Sequence, residues 1–190
     1  MLDVTKTGIR NWKPDALPDL GGKLYVITGG NSGIGLAAAE DFTAEGANVS
    51  LTGRSRKTLD AAAEKTGALA IQSDMADASA SASAIKTAVE QNGPLDVVFI
   101  NAGVGGFSPV DEVTEQFWDD IQNVNLKGAF FAAQAALPHL RDGGAIVFTG
   151  SIGSVLGVPG NAVYAAAKAG LRAVARIYAA ELAPRYRVVG

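Results

Sequence analysis

The chain has 190 residues, 48% of them hydrophobic and 18% charged, which is enough for one globular domain and argues against a disordered chain. A formal net charge of −3 does not suggest nucleic-acid binding, and no apolar run is long enough to span a bilayer. The sequence has no cysteine for disulfides, and its single histidine, His139, cannot form a multi-histidine metal site. We therefore expect a cytoplasmic protein without a metal ion.

Residues 1–22 are predicted to form an N-terminal extension. Pro14 and Pro18 break helices, and Gly21-Gly22 stands just before the first apolar run. Residues 23–190 contain no internal domain boundary and are expected to form a single domain.

Strands and helices alternate along residues 23–190. Short runs rich in Val, Ile, Leu and Ala, with little alternation of apolar and polar residues, predict strands covered on both faces. We place strands at 23–29, 47–53, 68–73, 95–101 and 144–150, and helices at 33–45, 56–66, 77–92, 114–140 and 161–183. Asp77, Thr114 and Asn161 are expected N-caps. This alternation predicts an α/β fold with a doubly wound parallel sheet and strand order 3-2-1-4-5.

A glycine-rich turn follows the first strand, with the sequence Thr28-Gly29-Gly30-Asn31-Ser32-Gly33-Ile34-Gly35. Glycines allow a tight turn, and free N–H groups at the start of the next helix attract an anion. A glycine cluster alone would be an ordinary turn, but a strand before it and a helix after it favour a phosphate site.

The other strands also end in polar or glycine-rich residues. These endings are Thr52-Gly53-Arg54, Ser73-Asp74, Asn101-Ala102-Gly103 and Thr149-Gly150-Ser151. Ligands of such sheets bind beyond the carboxyl ends of the strands. The sequence therefore predicts a cofactor cleft at that edge.

Tyr164 and Lys168 lie one helical turn apart in a predicted helix and so share a face. Most such pairs are surface residues. The alternative is a proton-donating tyrosine, because a cation about 4 Å away favours a phenolate by roughly 4 kcal/mol at an effective dielectric near 20.

Two further polar residues, Ser151 and Asn125, are candidate catalytic residues. Ser151, at the end of the fifth strand, is either a turn serine or a hydrogen-bond partner for a substrate oxygen. Asn125 lies within a predicted helix, where asparagine is unfavourable because its side chain competes for backbone hydrogen bonds. A residue that is unfavourable for its local structure is a weak indication of function.

Taken together, these motifs resemble the short-chain dehydrogenase/reductase family. The pattern Thr-Gly-x-x-x-Gly-x-Gly is followed by Asn-Ala-Gly, a mid-helix Asn, a Ser and a Tyr-x-x-x-Lys pair, all in the family's order. The resemblance covers about residues 23–190, and the matching positions are Thr28, Gly29, Gly33, Gly35, Asn101, Ala102, Gly103, Asn125, Ser151, Tyr164 and Lys168.

The resemblance implies a role for each catalytic candidate. Tyr164 is the expected general acid/base, and Lys168 supplies the charge that favours the phenolate and binds the nicotinamide ribose. Ser151 orients the substrate carbonyl, Asn125 supports a proton-relay water, and Asp74 contacts the adenine side. The residues expected to bind the cofactor are Thr28, Gly29, Asn31, Ser32, Gly33, Ile34, Gly35, Arg54, Asp74, Met75, Asn101, Ala102, Gly103, Tyr164 and Lys168.

The end of the second strand predicts which cofactor is used. Relatives that prefer NAD carry an acidic residue there to bind the ribose 2′-hydroxyl. This chain has Gly53 followed by Arg54, and an arginine can bind a 2′-phosphate. Unless Arg54 is only a surface charge, the sequence favours NADP(H) over NAD(H).

The expected function is hydride transfer between NADP(H) and a carbonyl or secondary alcohol. Enoyl reduction is a second enzymatic hypothesis, although that branch of the family usually spaces its Tyr and Lys further apart. A catalytically incomplete nucleotide-binding protein, acting as a sensor or structural subunit, remains the alternative from another class. By resemblance we expect a homo-oligomer, a dimer or tetramer through the helices at 114–140 and 161–183.

The sequence ends at Arg187-Val188-Val189-Gly190, where the family opens a sixth strand. The fifth strand is expected to have a parallel neighbour on its outer side, and this stub is shorter than a normal strand. We therefore expect the domain to be truncated here, and either a continuation beyond Gly190 or another subunit to cover that edge.

Overall fold

The computed structural model describes residues 19–190, which contain a six-stranded parallel sheet in the order β3-β2-β1-β4-β5-β6. The strands are β1 Leu24–Thr28, β2 Asn48–Gly53, β3 Leu69–Gln72, β4 Leu95–Ile100, β5 Leu140–Phe148 and β6 Arg187–Val189. The doubly wound parallel sheet and its predicted order are confirmed, and β6 adds a short parallel neighbour to β5.

Helices cover both faces of this sheet. They are α1 Gly33–Ala44, α2 Arg56–Thr66, α3 Ala78–Asn92, α4 Glu115–Gln122, α5 Ala129–Ala136 and α6 Ala162–Leu182. Alternate residues of β1 face opposite layers, so Val26 packs with the α3, α5 and α6 side while Ile27 packs with the α1 and α2 side. None of the helices within 19–190 combines the length and apolar character needed to cross a bilayer.

The predicted N-terminal extension lies mostly outside the described residues, including Pro14 and Pro18. Its last residues are tied to the core, because Leu20 is buried beside Ile27 and its N–H donates to the Glu45 carbonyl at 2.9 Å.

The predicted helix over 114–140 is not one continuous α-helix. A π-helical segment, Asn123–Gly128, separates α4 from α5, and a 3₁₀ turn, Leu137–His139, ends the run. The Asn125 side-chain amide donates to the Ile121 carbonyl at 3.0 Å, which in an α-helix would accept the backbone N–H of residue 125. Gly128 passes so close to the Met75 carbonyl that no side chain would fit there. We attribute the widened turn to these two contacts.

The fifth strand begins at Leu140 rather than at residue 144. Leu140 pairs with Leu95, and the register then shifts so that Val97 pairs with Ala145. The residue passed over in β4 is Asp96, and the β1–β4 register also shifts beside it. The predicted strand start was wrong because this irregular pairing is set by a distant strand.

Asp96 replaces the missing ladder contacts with its side chain. Its carboxylate accepts a hydrogen bond from the Leu24 N–H at 2.9 Å and lies 3.9 Å from the Lys23 ammonium and 3.8 Å from the Arg141 guanidinium. The Asp96 side chain is only 14% exposed. It therefore fixes the amino ends of three strands, opposite the predicted cleft.

We expect Asp96→Ala to lower the free energy of unfolding by about 1–3 kcal/mol, because a buried N–H loses a charged acceptor. Denaturant unfolding followed by circular dichroism measures this. Asp142→Ala is the matched control, since Asp142 pairs with Arg185 on the surface and its removal should change the unfolding midpoint little. Equal effects of the two substitutions would contradict the role of Asp96.

Candidate functional site

A cleft of about 790 Å³ opens at the carboxyl ends of the strands. It is bordered by the loops after β1, β2, β3 and β4, by the end of β5 and by the start of α6. The predicted site residues that line it are Gly29, Asn31, Ser32, Ile34, Arg54, Asp74, Met75, Asn101, Ala102, Gly103, Asn125, Tyr164 and Lys168, whereas Thr28, Gly33, Gly35 and Ser151 are not among its lining residues.

The glycine-rich turn packs tightly against the loop that follows β4. Gly29 has φ +66°, and a side chain there would come within 2.8 Å of the Ala102 Cα. A side chain at Gly35 would approach the Gly29 carbonyl to 2.5 Å. Helix α1 starts at Gly33, and in the described chain Ser32 gives it no side-chain capping bond. Its first N–H groups are therefore available to an anion in the cleft.

Thr28 and Asn101 join the ends of β1, β4 and β5. The Thr28 hydroxyl accepts hydrogen bonds from the backbone N–H groups of Asn101, at 3.0 Å, and Ala102, at 3.1 Å. The Asn101 amide donates to the Thr28 carbonyl at 3.2 Å, and its oxygen accepts from the Thr149 hydroxyl at 3.1 Å. Thr28 and Asn101 thus shape the floor of the cleft.

Tyr164 and Lys168 lie on one face of α6 and border the same cleft. The Lys168 side chain is 4% exposed, and its Nζ donates to the Thr149 carbonyl at 2.7 Å. The ammonium lies 5.8 Å from the centroid of the Tyr164 ring. Burial lowers the pKa of Lys168, because a charged ammonium loses hydration inside the protein.

Asn125 is buried in the π-helical segment, where it binds backbone groups on two sides. Its Oδ1 accepts from the Val104 N–H at 3.2 Å, and its Nδ2 donates to the Val104 carbonyl at 2.7 Å as well as to Ile121. It therefore fastens the loop after β4 to the π-helical segment. The same segment packs on α6, because Gly170 leaves room for Leu126, whose Cδ2 would lie 2.9 Å from a side chain at residue 170.

Ser151 borders a second cavity, of about 630 Å³, between α6 and the end of β6. Its hydroxyl accepts from the Gly153 N–H at 3.1 Å. Gly153 lies beside both Ser151 and the tyrosine, because a side chain at residue 153 would lie 3.3 Å from the Ser151 Oγ and 3.7 Å from the Tyr164 ring. Ser151 is thus close to Tyr164, although Tyr164 borders the first cleft and Ser151 the second cavity.

Arg54 and Asp74 border the cleft where β2 and β3 end. Ser55 caps α2 by accepting from the Thr58 N–H at 3.4 Å, so the loop that carries Arg54 leads directly into a helix start. Asp74 accepts from the Ala76 N–H at 2.9 Å and turns the chain toward Met75, which also lines the cleft.

Several cleft residues were not predicted as site residues, and two of them, Thr149 and Asn161, lie close to the Tyr164–Lys168 pair in the fold or in the chain. Thr149, noted only as a strand end, supplies the carbonyl that holds Lys168. Asn161 was predicted as an N-cap and stands at the N-cap position of α6, but within the described residues it makes no capping hydrogen bond and lines the cleft instead. By contrast, Asp77 and Thr114 do cap their helices. A polar residue just before the Tyr-x-x-x-Lys helix was the only signal for Asn161.

A family model described as "short chain dehydrogenase" matches residues 23–189. The chain belongs to the short-chain dehydrogenase family.

Individual members of this family are similar over most of the chain. An oxidoreductase, asL5 of Sarocladium schorii, is 41% identical over 174 residues, which are 88% of this chain and 69% of the relative. The hydroxynaphthalene reductase arp2 of Aspergillus fumigatus is 34% identical over 168 residues, 85% of this chain and 62% of the relative. The chain therefore spans roughly two thirds of the length of these relatives.

Solved structures of short-chain dehydrogenases superpose on the same fold. One from Burkholderia cenocepacia, crystallised in complex with NADP, is 36% identical with a TM-score of 0.86, and the match covers 90% of this chain and 74% of that one. Members of the family are oxidoreductases, which agrees with a nucleotide-sized cleft at the carboxyl edge of the sheet.

We expect Thr28→Val to cost about 1–3 kcal/mol of unfolding free energy, because the N–H groups of Asn101 and Ala102 lose their acceptor. It should also weaken cofactor binding, since both residues line the cleft. Chemical denaturation and fluorescence titration with NADPH measure the two effects.

Thr52→Val is the matched control, because Thr52 is similarly buried near the end of β2 but its hydroxyl does not accept from the Asn101 and Ala102 N–H groups. If Thr28→Val were no more destabilising than Thr52→Val, the hydroxyl would not organise the strand ends.

Proposed function

We propose that this protein transfers a hydride between NADP(H) and a carbonyl or secondary alcohol, with Tyr164 as general acid/base. The observation that carries the proposal is the shared placement of Tyr164 and Lys168. Both face the cleft that also contains the glycine turn and the Asn101–Gly103 loop. Proton donor, cation and anion site thus border one space of a size suited to a cofactor and a small substrate.

The geometry around the glycine turn fits a dinucleotide. Gly29 and Gly35 pack so closely against neighbouring backbone that no side chain would fit at either position. At Gly33, by contrast, an added side chain would meet no atom of residues 19–190 within 4 Å. Backbone can therefore approach a phosphate there, next to the start of α1. The bound nicotinamide would accept or supply the hydride.

Residues of α6 would transfer the proton to and from the substrate oxygen. The Tyr164 hydroxyl gives a proton to the substrate oxygen during reduction and takes it back during oxidation. Lys168, held by the Thr149 carbonyl, places its positive charge beside the Tyr164 ring and is proposed to bind the nicotinamide ribose. Ser151 is proposed to orient the substrate oxygen, and Asn125 to support a proton-relay water from the segment that it fixes.

The charge at the end of β2 supports NADP(H) as the cofactor. Arg54 lines the cleft, and the position where an acidic residue would select NAD(H) is Gly53. A guanidinium binds phosphate through charge-assisted hydrogen bonds, whereas a carboxylate would repel it.

Exposed apolar side chains in the loops after β4 and β5 support a hydrophobic substrate. Phe107, after β4, is 74% exposed, and Ile152 and Val155, after β5, are 72% and 62% exposed. The relative from Aspergillus fumigatus is named as a hydroxynaphthalene reductase. We propose an apolar ketone or its alcohol as the substrate class.

Exposed aromatic residues support the proposed homo-oligomer. Trp118 on α4 is 45% exposed and Phe131 on α5 is 38% exposed, while α6 carries Ile177 at 57%. Contacts between copies through these helices would remove that apolar surface from water.

We expect Tyr164→Phe to reduce ketone turnover by about 10²–10⁴-fold, the range for loss of a general acid. Affinity for NADPH should stay near that of the wild type, because the hydroxyl moves a proton and does not hold the nucleotide. Turnover is followed by NADPH absorbance and binding by fluorescence.

Tyr178→Phe is the control, because Tyr178 lies on the same helix and bonds the Phe130 carbonyl away from the cleft. Near wild-type turnover in Tyr164→Phe would refute the mechanism. Cofactor binding by the wild type without turnover of any ketone or alcohol would favour a nucleotide-binding sensor or structural subunit.

We expect Arg54→Ala to weaken NADPH binding tenfold or more, since one charge-assisted contact is worth about 1.5–3 kcal/mol. Affinity for NADH should change much less, because NADH lacks the 2′-phosphate. Arg56→Ala is the matched control, since Arg56 pairs with Asp60 at 3.0 Å on the surface of α2. An equal loss for both cofactors would show that Arg54 does not bind the 2′-phosphate.

A further inference from the structure

We infer that Asn31 is a specificity-determining residue that closes position 53 to an acidic side chain. A Cβ added to Gly53 would lie 2.5 Å from the Asn31 Oδ1 and 3.1 Å from its Cγ. The carboxamide of the glycine turn thus fills the space where a carboxylate at the end of β2 would stand. This inference rests on the proposed use of NADP(H), and it names a second residue that sets the preference.

The backbone at Gly53 does not itself require glycine. The φ angle of Gly53 is not positive, so an L-residue could adopt its backbone conformation. The next neighbour of an added Cβ, the Leu59 Cδ2 at 3.5 Å, is at ordinary contact distance. A side chain at residue 53 therefore requires the Asn31 carboxamide to leave its position and give up the hydrogen bond that holds it there.

A chain of hydrogen bonds keeps that carboxamide in place. The Asn31 Nδ2 donates to the Thr58 hydroxyl at 2.9 Å, and the Thr58 hydroxyl donates to the Ser55 carbonyl at 3.1 Å. Thr58 thus uses its single proton on Ser55 and its oxygen on Asn31. The bond holds Asn31 across the end of β2 and links the glycine turn to the start of α2.

On its other side, the loop that carries Arg54 is held by β3. The Gln72 Nε2 donates to the Arg54 carbonyl at 2.8 Å, and the Ser73 N–H donates to the Gly53 carbonyl at 3.0 Å. Because residues 53 and 54 are fixed from β3 as well, the loop cannot easily move away from Asn31 to admit a larger residue. Gln72 also offers a way to loosen this loop without making room at position 53.

The consequence is a dependence between two positions. A carboxylate at residue 53 could accept hydrogen bonds from the ribose hydroxyls of NADH. With Asn31 present, Gly53→Asp should have a lower affinity for NADPH, because the carboxylate repels the 2′-phosphate. Its affinity for NADH should not increase. In the Asn31→Ala background, the carboxylate introduced by Gly53→Asp can occupy the space left by the carboxamide. The affinity for NADH should then increase.

A double-mutant cycle tests this dependence by calorimetric titration of the whole chain with NADH and NADPH. Gly53→Asp alone should bind NADH within about threefold of the wild type, whereas Asn31→Ala/Gly53→Asp should bind it about tenfold or more tightly than Asn31→Ala alone, the gain expected of one charge-assisted hydrogen bond. The thermal midpoint of each variant shows whether it is folded.

Gln72→Ala combined with Gly53→Asp is the matched control, because it loosens the loop but leaves Asn31 in place. The inference is overturned if Gly53→Asp alone gains NADH affinity, if the Gln72 control gains as much as the Asn31 variant, or if the double variant gains nothing. These outcomes depend on NADH affinity, so they are distinct from a failure of Arg54→Ala to select against NADPH, which would refute the proposed cofactor.

Discussion

The hydrogen bonds of Thr28 and Asn101 are the interaction on which the cleft depends. Where parallel strands diverge, their last N–H and C=O groups lose strand partners and need others. Thr28 satisfies two N–H groups of the neighbouring loop, and Asn101 reaches both β1 and β5. Two short polar side chains thus hold three loops at fixed separations, and the cleft lies between those loops.

The same sheet edge also holds the buried charged side chain of the site, Lys168. Lys168 is buried, which costs an ammonium its hydration, and the Thr149 carbonyl recovers part of that cost through a hydrogen bond. Thr149 contacts Asn101 with its hydroxyl and Lys168 with its carbonyl. The residue directly after β5 therefore links the strand-end network to the helix that carries Tyr164.

The sequence was sufficient for features that depend on local pattern. Continuous apolar runs located the strands, alternation with helices predicted their order, and the glycine turn located the edge where the cleft lies. Most predicted site residues line that cleft because they follow strand ends, whose common edge is fixed by a parallel sheet. Asp77 and Thr114 cap helices as predicted, because capping involves only neighbours in the chain.

Features set by distant contacts were not predictable in this way. The π-helical segment depends on the close approach of Gly128 to Met75, and the start of β5 depends on the skipped residue Asp96 in β4. Asparagine is a common N-cap residue, and Asn161 stands at the N-cap position of α6. Within the part of the chain that the structure describes, its side chain nevertheless makes no capping hydrogen bond and lines the cleft. Ser151 borders the second cavity and is not among the lining residues of the cleft, which no spacing rule could indicate.

The contact between Gly170 and Leu126 has a mechanical consequence. Because Gly170 lets the Leu126 side chain pack directly against α6, we expect Tyr164 on α6 and Asn125 on the π-helical segment to move together. We also expect a tilt of α6 to displace the loop after β4, because Asn125 holds that loop through Val104. Amide protons of α6 and of the π-helical segment should therefore become accessible to solvent in a single cooperative opening, with one common exchange free energy.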